Sequence, residues 1–102
     1  MILHCVFCNI APSTADKALA DIFDGLSALC DTLDGALSFE AGPNRDFEAK
    51  SPDHGHGFII RFADAAALEE YANDPRHIEL GGQLCSLCTG GAEGIIVYDL
   101  EI

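Results

Sequence analysis

Residues 54–77, HGHGFIIRFADAAALEEYANDPRH, show three structural patterns in succession. Residues 57–62 are a glycine followed by β-branched and aromatic residues around one arginine, and turn residues bound the run, which predicts a strand. Residues 65–72 change to helix formers with apolar side chains at helical spacing, which predicts a helix. Asp74 before Pro75 is typical of a helix start, because the Asp oxygen can accept from a free backbone N–H and proline has its φ already set. The stretch therefore predicts a strand, a helix and the beginning of another helix, with histidines near its two ends.

A strand and a long helix precede this stretch. Residues 1–10 predict a first strand on which both side-chain rows are largely apolar. The helix opens after residues 12–14 (PST) and ends at residues 34–35 (DG), with one apolar stripe along it. That stripe consists of Leu19, Ile22, Phe23, Leu26, Leu29, Cys30 and Leu33. In this pattern Gly25 falls on the polar side of the helix.

Four further segments complete the chain. Residues 36–42 predict a second strand, and one of its faces carries Leu37, Phe39 and Ala41. Residues 42–55 are polar with Pro and Gly, which predicts a long hairpin loop. From residue 75 the chain can continue as a helix to about residue 89, although two adjacent glycines weaken that pattern. Residues 94–101 predict the last strand.

The element order β-α-β-β-α-β predicts an α+β, ferredoxin-like fold. In this fold a four-stranded antiparallel sheet carries its helices on one face. The first and third strands are apolar on both faces, and a soluble monomer does not leave such a sheet face uncovered. We therefore expect a homodimer through the open sheet face. The row that faces the partner is predicted to contain Leu3, Cys5, Phe7, Ile59 and Arg61.

Composition limits the class of protein. The chain has 102 residues, of which 49% are hydrophobic and 22% charged, which predicts a single globular domain. Its net charge of −12, with five Lys and Arg, argues against nucleic acid as a partner. No apolar run is long enough to predict a membrane span. Five cysteines and no export signal predict reduced thiols in the cytoplasm.

Two CxxC pairs raise the question of a zinc site. Cys5 and Cys8 are an odd number of residues apart, so on a strand their side chains point to opposite faces. Cys85 and Cys88 lie on one side of a predicted helix and are typical of small core residues. We therefore expect no metal and treat the cysteines as core.

Four polar side chains are predicted to meet between the sheet and the helices. His4 and His56 lie in apolar rows of two strands, while Tyr71 and His77 lie on the helices above them. If both rows face the helices, the four side chains line an apolar pocket for a small ligand. The alternative is a hydrogen-bonded cluster that closes the core.

These residues resemble the stress-responsive dimeric α/β-barrel (Dabb) family over nearly the whole chain. The similar segments are residues 1–7, 35–42, 56–62, 67–71, 74–77 and 97–99. The resemblance implies one Dabb domain over residues 1–102, a ferredoxin-like fold and a dimeric barrel. A few members are cofactor-free polyketide cyclases, and in the known plant example a tyrosine and a histidine six residues apart act beside two sheet histidines. The resemblance therefore implies a base role for His77, a proton-donating or orienting role for Tyr71, and ligand contacts for His4 and His56.

The sequence departs from the family pattern at two places. Gly81-Gly82 stands where bulkier residues often follow the second histidine, and Gly55 stands where many members carry an acidic residue. No nucleophile with an adjacent base, phosphate loop or cofactor motif is present, so proton transfer without a cofactor is the predicted chemistry. We expect a small apolar carbonyl compound as ligand and cyclase, lyase or isomerase chemistry. The alternative is a non-catalytic structural or stress-related oligomer with a closed histidine-containing core.

Overall fold

Four strands and three α-helices follow one another in the order β-α-β-β-α-α-β. The computed structural model describes all residues from 1 to 102. The strands are β1 (Ile2–Cys8), β2 (Ala36–Pro43), β3 (His56–Phe62) and β4 (Ile95–Glu101). The helices are α1 (Asp16–Asp31), α2 (Ala65–Asn73) and α3 (Pro75–Leu87), and a 3₁₀ turn at Gly91–Gly94 leads into β4. The predicted α+β, ferredoxin-like fold is confirmed.

The sheet has the strand order β2-β3-β1-β4, and all its neighbouring strands are antiparallel. Ile2 of β1 lies opposite Phe62 of β3, and Cys8 lies opposite His56. Because side chains alternate along a strand, one face of the sheet carries the even-numbered residues of both strands. These residues form most of the core with α1, and Ile60 and Phe62 are fully buried in it.

Helix α1 packs its apolar stripe against this face of the sheet. Its buried residues are Leu19, Ile22, Leu26, Leu29 and Cys30, all of which belong to the predicted stripe. The expectation that Gly25 lies on the polar side is wrong. A Cβ on Gly25 would lie 2.9 Å from a methyl carbon of Leu80 on α3, so the missing side chain lets α1 and α3 approach each other closely.

Strand β2 contains a register shift between Ala36 and Ser38. Ala36 lies opposite Phe62 and Phe39 opposite Ile60, both on the helix-covered face. Leu37 was expected on that face as well, but it lies at the irregularity and is 52% exposed. A β-bulge adds one residue to a strand, so the simple alternation breaks there.

Two aspartates begin the helices that carry the predicted site residues. The Asp64 side chain accepts from the backbone N–H of Ala67 at 2.8 Å, at the start of α2. The Asp74 side chain accepts from the backbone N–H of Arg76 at 2.8 Å, at the start of α3. Bonds from Arg76 lower the pKa of Asp74 to about 2. The Asp-Pro start of α3 therefore forms as the sequence predicts.

The face of the sheet away from the helices carries a large apolar surface. Ile59, Ile96, Tyr98 and Leu100 are 37%, 37%, 56% and 52% exposed there. Arg61 on the same face is exposed and makes no salt bridge within the chain. None of the helices has the length and apolar character needed to cross a bilayer.

Candidate functional site

His4 forms a short polar contact on the helix-covered face of the sheet. It lies directly opposite Asp99 of β4, and its Nδ1 is 2.6 Å from the Asp99 Oδ1. The His4 side chain is 13% exposed and the Asp99 side chain is 44% exposed. Because an ionised carboxylate only accepts, His4 donates through Nδ1–H, and its Nε2 is left for another partner.

Asp99 had no role in the sequence-based prediction of the site. Its pairing with His4 depends on the β1–β4 register, which places the two residues side by side at the centre of the strands. A signal was present in the sequence, because an aspartate interrupts an apolar strand in the row that continues from Val97. The partner of that aspartate could be named only once the pairing of the first and last strands was known.

Tyr71 lies in the last turns of α2 and is almost fully buried, with 1% of its surface exposed. Its ring centroid is 5.9 Å from that of His4 and 5.2 Å from that of Phe62. The hydroxyl group is buried and has no hydrogen-bond partner. Burial raises the pKa of Tyr71, and the nearby Cys30 thiol raises it further. The hydroxyl therefore stays protonated and can donate to an acceptor.

His77 lies in the first turn of α3, beside Tyr71. The two ring centroids are 4.3 Å apart. The His77 Nδ1 is 3.1 Å from the carbonyl oxygen of Ala72, which can only accept, so Nδ1 carries the hydrogen. In the neutral ring this leaves the lone pair on Nε2. A Cβ on Gly81 would lie 4.0 Å from that Nε2, so the glycine keeps the space beside it open.

Burial lowers the pKa of His77 from its ordinary value. The hydrogen bond to Ala72 and the Asp74 carboxylate act in the opposite direction, and repulsion from His4 adds to the lowering. The lowered pKa keeps the imidazole neutral at neutral pH, which is the form that can accept a proton.

His56 lies apart from the other three residues. His4 is opposite Ile60 of β3, whereas His56 is opposite Cys8, four residues farther along the strand. Four residues of a strand span roughly 13 Å. The structure therefore brings together His4, Tyr71 and His77, and it places His56 at the other end of β3.

His56 also differs from His4, Tyr71 and His77 in that it lines a cavity. Four cavities of 660, 510, 420 and 450 Å³ open on the molecule. None of these four is lined by His4, Tyr71 or His77, while His56 lines the one of 510 Å³. Within the cluster Tyr71 is buried, whereas His4 and His77 are partly exposed and Asp99 is exposed.

The cysteines are free thiols, and four of the five are buried. Cys5 faces the open side of the sheet with Ile59, and Cys8 faces the helices, as the alternation predicts. Burial, with the neighbouring Cys88 and Cys85, raises the pKa of Cys8 to about 12. Cys8 therefore does approach the second CxxC pair, whereas Cys5 does not. No group of three or more His, Cys, Asp or Glu side chains has an arrangement that could hold a metal ion.

The chain is similar to one family and to several solved structures. A family model described as "Stress responsive A/B Barrel Domain" matches residues 2–102. A dimeric ferredoxin-like protein of unknown function from Jannaschia sp. CCS1 is 40% identical, with a TM-score of 0.94 and coverage of 99% of this chain and 98% of that one. No curated protein matches the chain by sequence.

Two more distant structures share the fold. The protein At3g17210 from Arabidopsis thaliana is 17% identical, with a TM-score of 0.86 and coverage of 100% of this chain and 95% of that one. The hydroxynitrile lyase from Passiflora edulis is 16% identical, with a TM-score of 0.83 and coverage of 99% of this chain and 92% of that one. Identities this low establish the common fold alone.

Proposed function

This chain belongs to the stress-responsive A/B barrel (Dabb) family, and from that premise we propose that it moves a proton on a small apolar carbonyl compound without a cofactor. The observation that carries the proposal is the neighbourhood of His77. A neutral imidazole with its lone pair on Nε2 lies 4.3 Å, ring to ring, from a buried tyrosine whose hydroxyl has no partner. A base beside an unused donor is the arrangement that enolisation of a carbonyl compound needs.

Each residue has a distinct part in the proposed step. His77 Nε2 takes the proton from the carbon next to the carbonyl group, and the electron pair of the broken C–H bond moves toward the carbonyl oxygen. The Tyr71 hydroxyl donates to that oxygen and stabilises the enolate. His4, held by Asp99, donates or accepts at a second polar group of the ligand through its Nε2. Return of the proton to another carbon of the enolate completes an isomerisation. In a cyclisation, the enolate carbon bonds to a second carbonyl carbon of the same molecule, and the oxygen of that carbonyl takes the proton. In a lyase-type cleavage, the enolate re-forms its carbonyl group as a bond at the β-carbon breaks, and the leaving group takes the electron pair and the proton.

The exposed edge of the cluster is where a ligand would approach. Val97 and Asp99 of β4 lie on the same face of the sheet as His4, yet they are largely exposed. Ile78, next to His77 on α3, is 61% exposed. An apolar compound can contact these exposed apolar side chains while its carbonyl group reaches the histidines. The hydroxynitrile lyase of the same fold supports lyase chemistry as one of the reactions to test.

The alternative function is a non-catalytic dimer with a closed core. One observation favours it: Tyr71 is 1% exposed, and its ring packs between His77, His4 and Phe62. A hydroxyl enclosed in this way can be reached by a substrate only if α2 or α3 moves. Under this alternative the histidines serve to fill and orient the core.

Turnover of β-dicarbonyl and polyketide-like compounds tests the proposal. We expect activity in the wild type and a loss of about a hundredfold or more in His77→Ala, because a general base contributes at least that much. Tyr71→Phe should also reduce turnover, while its folding stability should be unchanged or higher, since the hydroxyl it removes has no partner.

Two matched variants control for the chemical change. His54→Ala removes a histidine from the β2–β3 loop, and Tyr98→Phe removes an exposed hydroxyl from the open sheet face. Both should keep wild-type turnover. Full activity in His77→Ala would remove this residue from the mechanism, and an inactive wild type would favour the closed-core alternative.

We also propose that two copies pair through the open sheet face. The apolar surface on this face supports the proposal, as do the dimeric structures of similar proteins. The β2–β3 loop borders the same face and holds Phe47 89% exposed to solvent. A dimer through this face would cover that surface and bring a carboxylate of the partner within reach of Arg61.

Sedimentation at micromolar concentration tests the dimer. The wild type should be dimeric, and Phe7→Glu should dissociate it, because a buried charge without a partner is strongly unfavourable. Ile78→Glu, on the helix side, is the control and should leave the dimer intact. A monomeric wild type would refute the proposed pairing.

A further inference from the structure

Three of the five cysteines meet where β1 ends. Cys8 is the last residue of β1, points toward the helices and is completely buried. Cys88 is the C-cap of α3 and is 8% exposed, and Cys85, one turn earlier on α3, is only partly buried. We call these three residues the thiol cluster. One member comes from the first CxxC pair of the sequence and two come from the second.

Backbone pairing holds the two segments of the thiol cluster together. Ile10, two residues after Cys8, forms an antiparallel bridge with Cys88. Next to that bridge, the backbone N–H of Thr89 donates to the carbonyl oxygen of Asn9 at 2.8 Å. The chain that leaves β1 and the chain that leaves α3 therefore lie side by side. Cys8 and Cys88 are distant in the sequence, but they cannot move far apart in the folded protein.

The side chains of the thiol cluster are also neighbours. The Cys88 thiol donates to the carbonyl oxygen of Leu84 at 3.3 Å. Burial raises the pKa of both Cys8 and Cys88. Beyond burial, Cys88 raises the pKa of Cys8, whereas Cys8 acts to lower that of Cys88, as expected when the S–H of Cys8 points to the sulfur of Cys88. Cys85 lies near both of them, on the side toward solvent.

Packing alone accounts for a single buried cysteine, and Cys30 on α1 is an example. The thiol cluster differs, because thiols from two distant segments lie together and one of them borders solvent. A disulfide needs two cysteine side chains that can approach without movement of the backbone. Cys8 and Cys88 fit that requirement, and Cys85 gives a reagent in solution access to them.

We propose that the thiol cluster is a site of oxidative modification, at which a small-molecule disulfide such as oxidised glutathione converts Cys8 and Cys88 into a disulfide. The structure describes the reduced form, in which all five thiols are free. The proposal does not depend on the proposed catalysis, because neither Tyr71 nor His77 takes part in it.

The reaction runs through three thiol–disulfide exchanges. The Cys85 thiolate attacks one sulfur of oxidised glutathione, and the first glutathione leaves with the electron pair of the broken S–S bond and takes up a proton. The Cys88 thiolate then attacks the Cys85 sulfur and releases the second glutathione. Finally the Cys8 thiolate attacks the Cys88 sulfur, and Cys85 returns to a thiol. In total two protein thiols lose two electrons and two protons, and the reagent gains both.

The disulfide would join the first strand to the end of α3. A cross-link that closes a long stretch of chain restricts the unfolded state, so it stabilises the folded one. The oxidised protein should therefore unfold at a higher urea concentration than the reduced protein, and a reductant should reverse the difference. Because burial keeps Cys8 and Cys88 mostly protonated, the last two exchanges should be slower than the first.

Incubation of the native protein with oxidised glutathione tests the proposal. After the remaining thiols are alkylated under denaturing conditions, their number should have fallen from five to three. Chymotrypsin cleaves after Phe7 and after Leu87, so a digest separates Cys8 from Cys5 and Cys88 from Cys85. Mass spectrometry of the non-reduced digest should then find the Cys8 peptide linked to the Cys88 peptide.

Single substitutions give each thiol its part. Cys8→Ala and Cys88→Ala should each abolish the Cys8–Cys88 link and the rise in the urea midpoint. Cys85→Ala should slow formation of the link at least tenfold and leave the product the same. The matched controls are Cys5→Ala and Cys30→Ala, which change a buried thiol outside the thiol cluster and should form the link at the wild-type rate.

The peptide map of the wild type decides the proposal even where a variant fails to fold. Five thiols that remain free would refute it. So would an end product with glutathione on Cys85, a Cys85–Cys88 disulfide, or any link to Cys5 or Cys30. A Cys8–Cys88 link that leaves the urea midpoint unchanged would refute the predicted stabilisation, and equal rates in Cys85→Ala and the wild type would refute the route through Cys85.

Discussion

The two ends of β3 lie on the same face of the same sheet, yet one is packed and the other is hollow. At the Phe62 end, α2 and α3 bring Tyr71 and His77 down onto the sheet, and Phe62 and Tyr71 are almost completely buried. At the His56 end, the chain leaves the sheet before α1 begins, and a cavity of 510 Å³ remains. The difference shows that the reach of the helices, more than the apolar pattern of the strand, determines where this protein has room for a ligand.

The two ends also differ in how many of their polar side chains have hydrogen-bond partners. At the packed end, His4 bonds to Asp99 and His77 bonds to Ala72, so only the Tyr71 hydroxyl is without a partner. At the hollow end, the His56 side chain forms no hydrogen bond. Packing and hydrogen bonds fix the orientation of the polar groups at the first end, whereas the second end has volume and one imidazole without a partner.

The largest expected difference between the two ends is in the free energy of unfolding that is lost when one aromatic ring is removed at each end. Phe62→Ala should lower the free energy of unfolding by about 3–5 kcal/mol, because Phe62 is fully buried and its removal leaves an empty space. Phe23→Ala should lower it by about half as much, since Phe23 is partly exposed and already borders a cavity. Urea unfolding of the two variants measures both values.

The urea m-value is the control for this comparison. The urea m-value should stay constant in both variants, which shows that each change acts on the folded state. Equal losses of stability at the two ends would contradict the description of one end as packed and the other as hollow.

A smaller effect concerns the pH dependence of stability at the packed end. Burial lowers the pKa of His77 below its ordinary value of 6.5, which the residue regains in the unfolded chain. Between the two values the unfolded state binds more protons, so stability rises with pH in that window. The contribution is fully present above about pH 6.5 and is lost as the pH falls through the lowered pKa.

Urea unfolding at several pH values from 7.5 downward, for the wild type and for His77→Gln, measures this contribution. The wild type should lose more stability on acidification than the variant does, because glutamine does not titrate. Parallel curves would show that burial does not hold His77 neutral, and they would weaken its proposed role as a base.

Much of this fold follows from local patterns that the sequence shows directly. The stripe of α1 and the alternation on β1 and β3 predicted which residues lie in the core, since both patterns depend only on the geometry of one element. The Asp-Pro start of α3 predicted the position of His77 in its first turn, because a capping side chain bonds to the next few backbone N–H groups. Tyr71 and His77 meet in the structure because the segment between them is short.

The parts that depend on distant segments were decided by the tertiary structure alone. The pairing of His4 with Asp99 requires the register between the first and last strands, which no local pattern encodes. Gly25 lies where α1 contacts α3, because the Leu80 side chain of α3 packs against it. His56 shares a row with buried residues, but its separation from His77 and its place beside a cavity depend on where α1 begins and how far it reaches over the sheet. Periodicity determines which face of the sheet a side chain points to, and only the packing of the helices determines what, if anything, covers it.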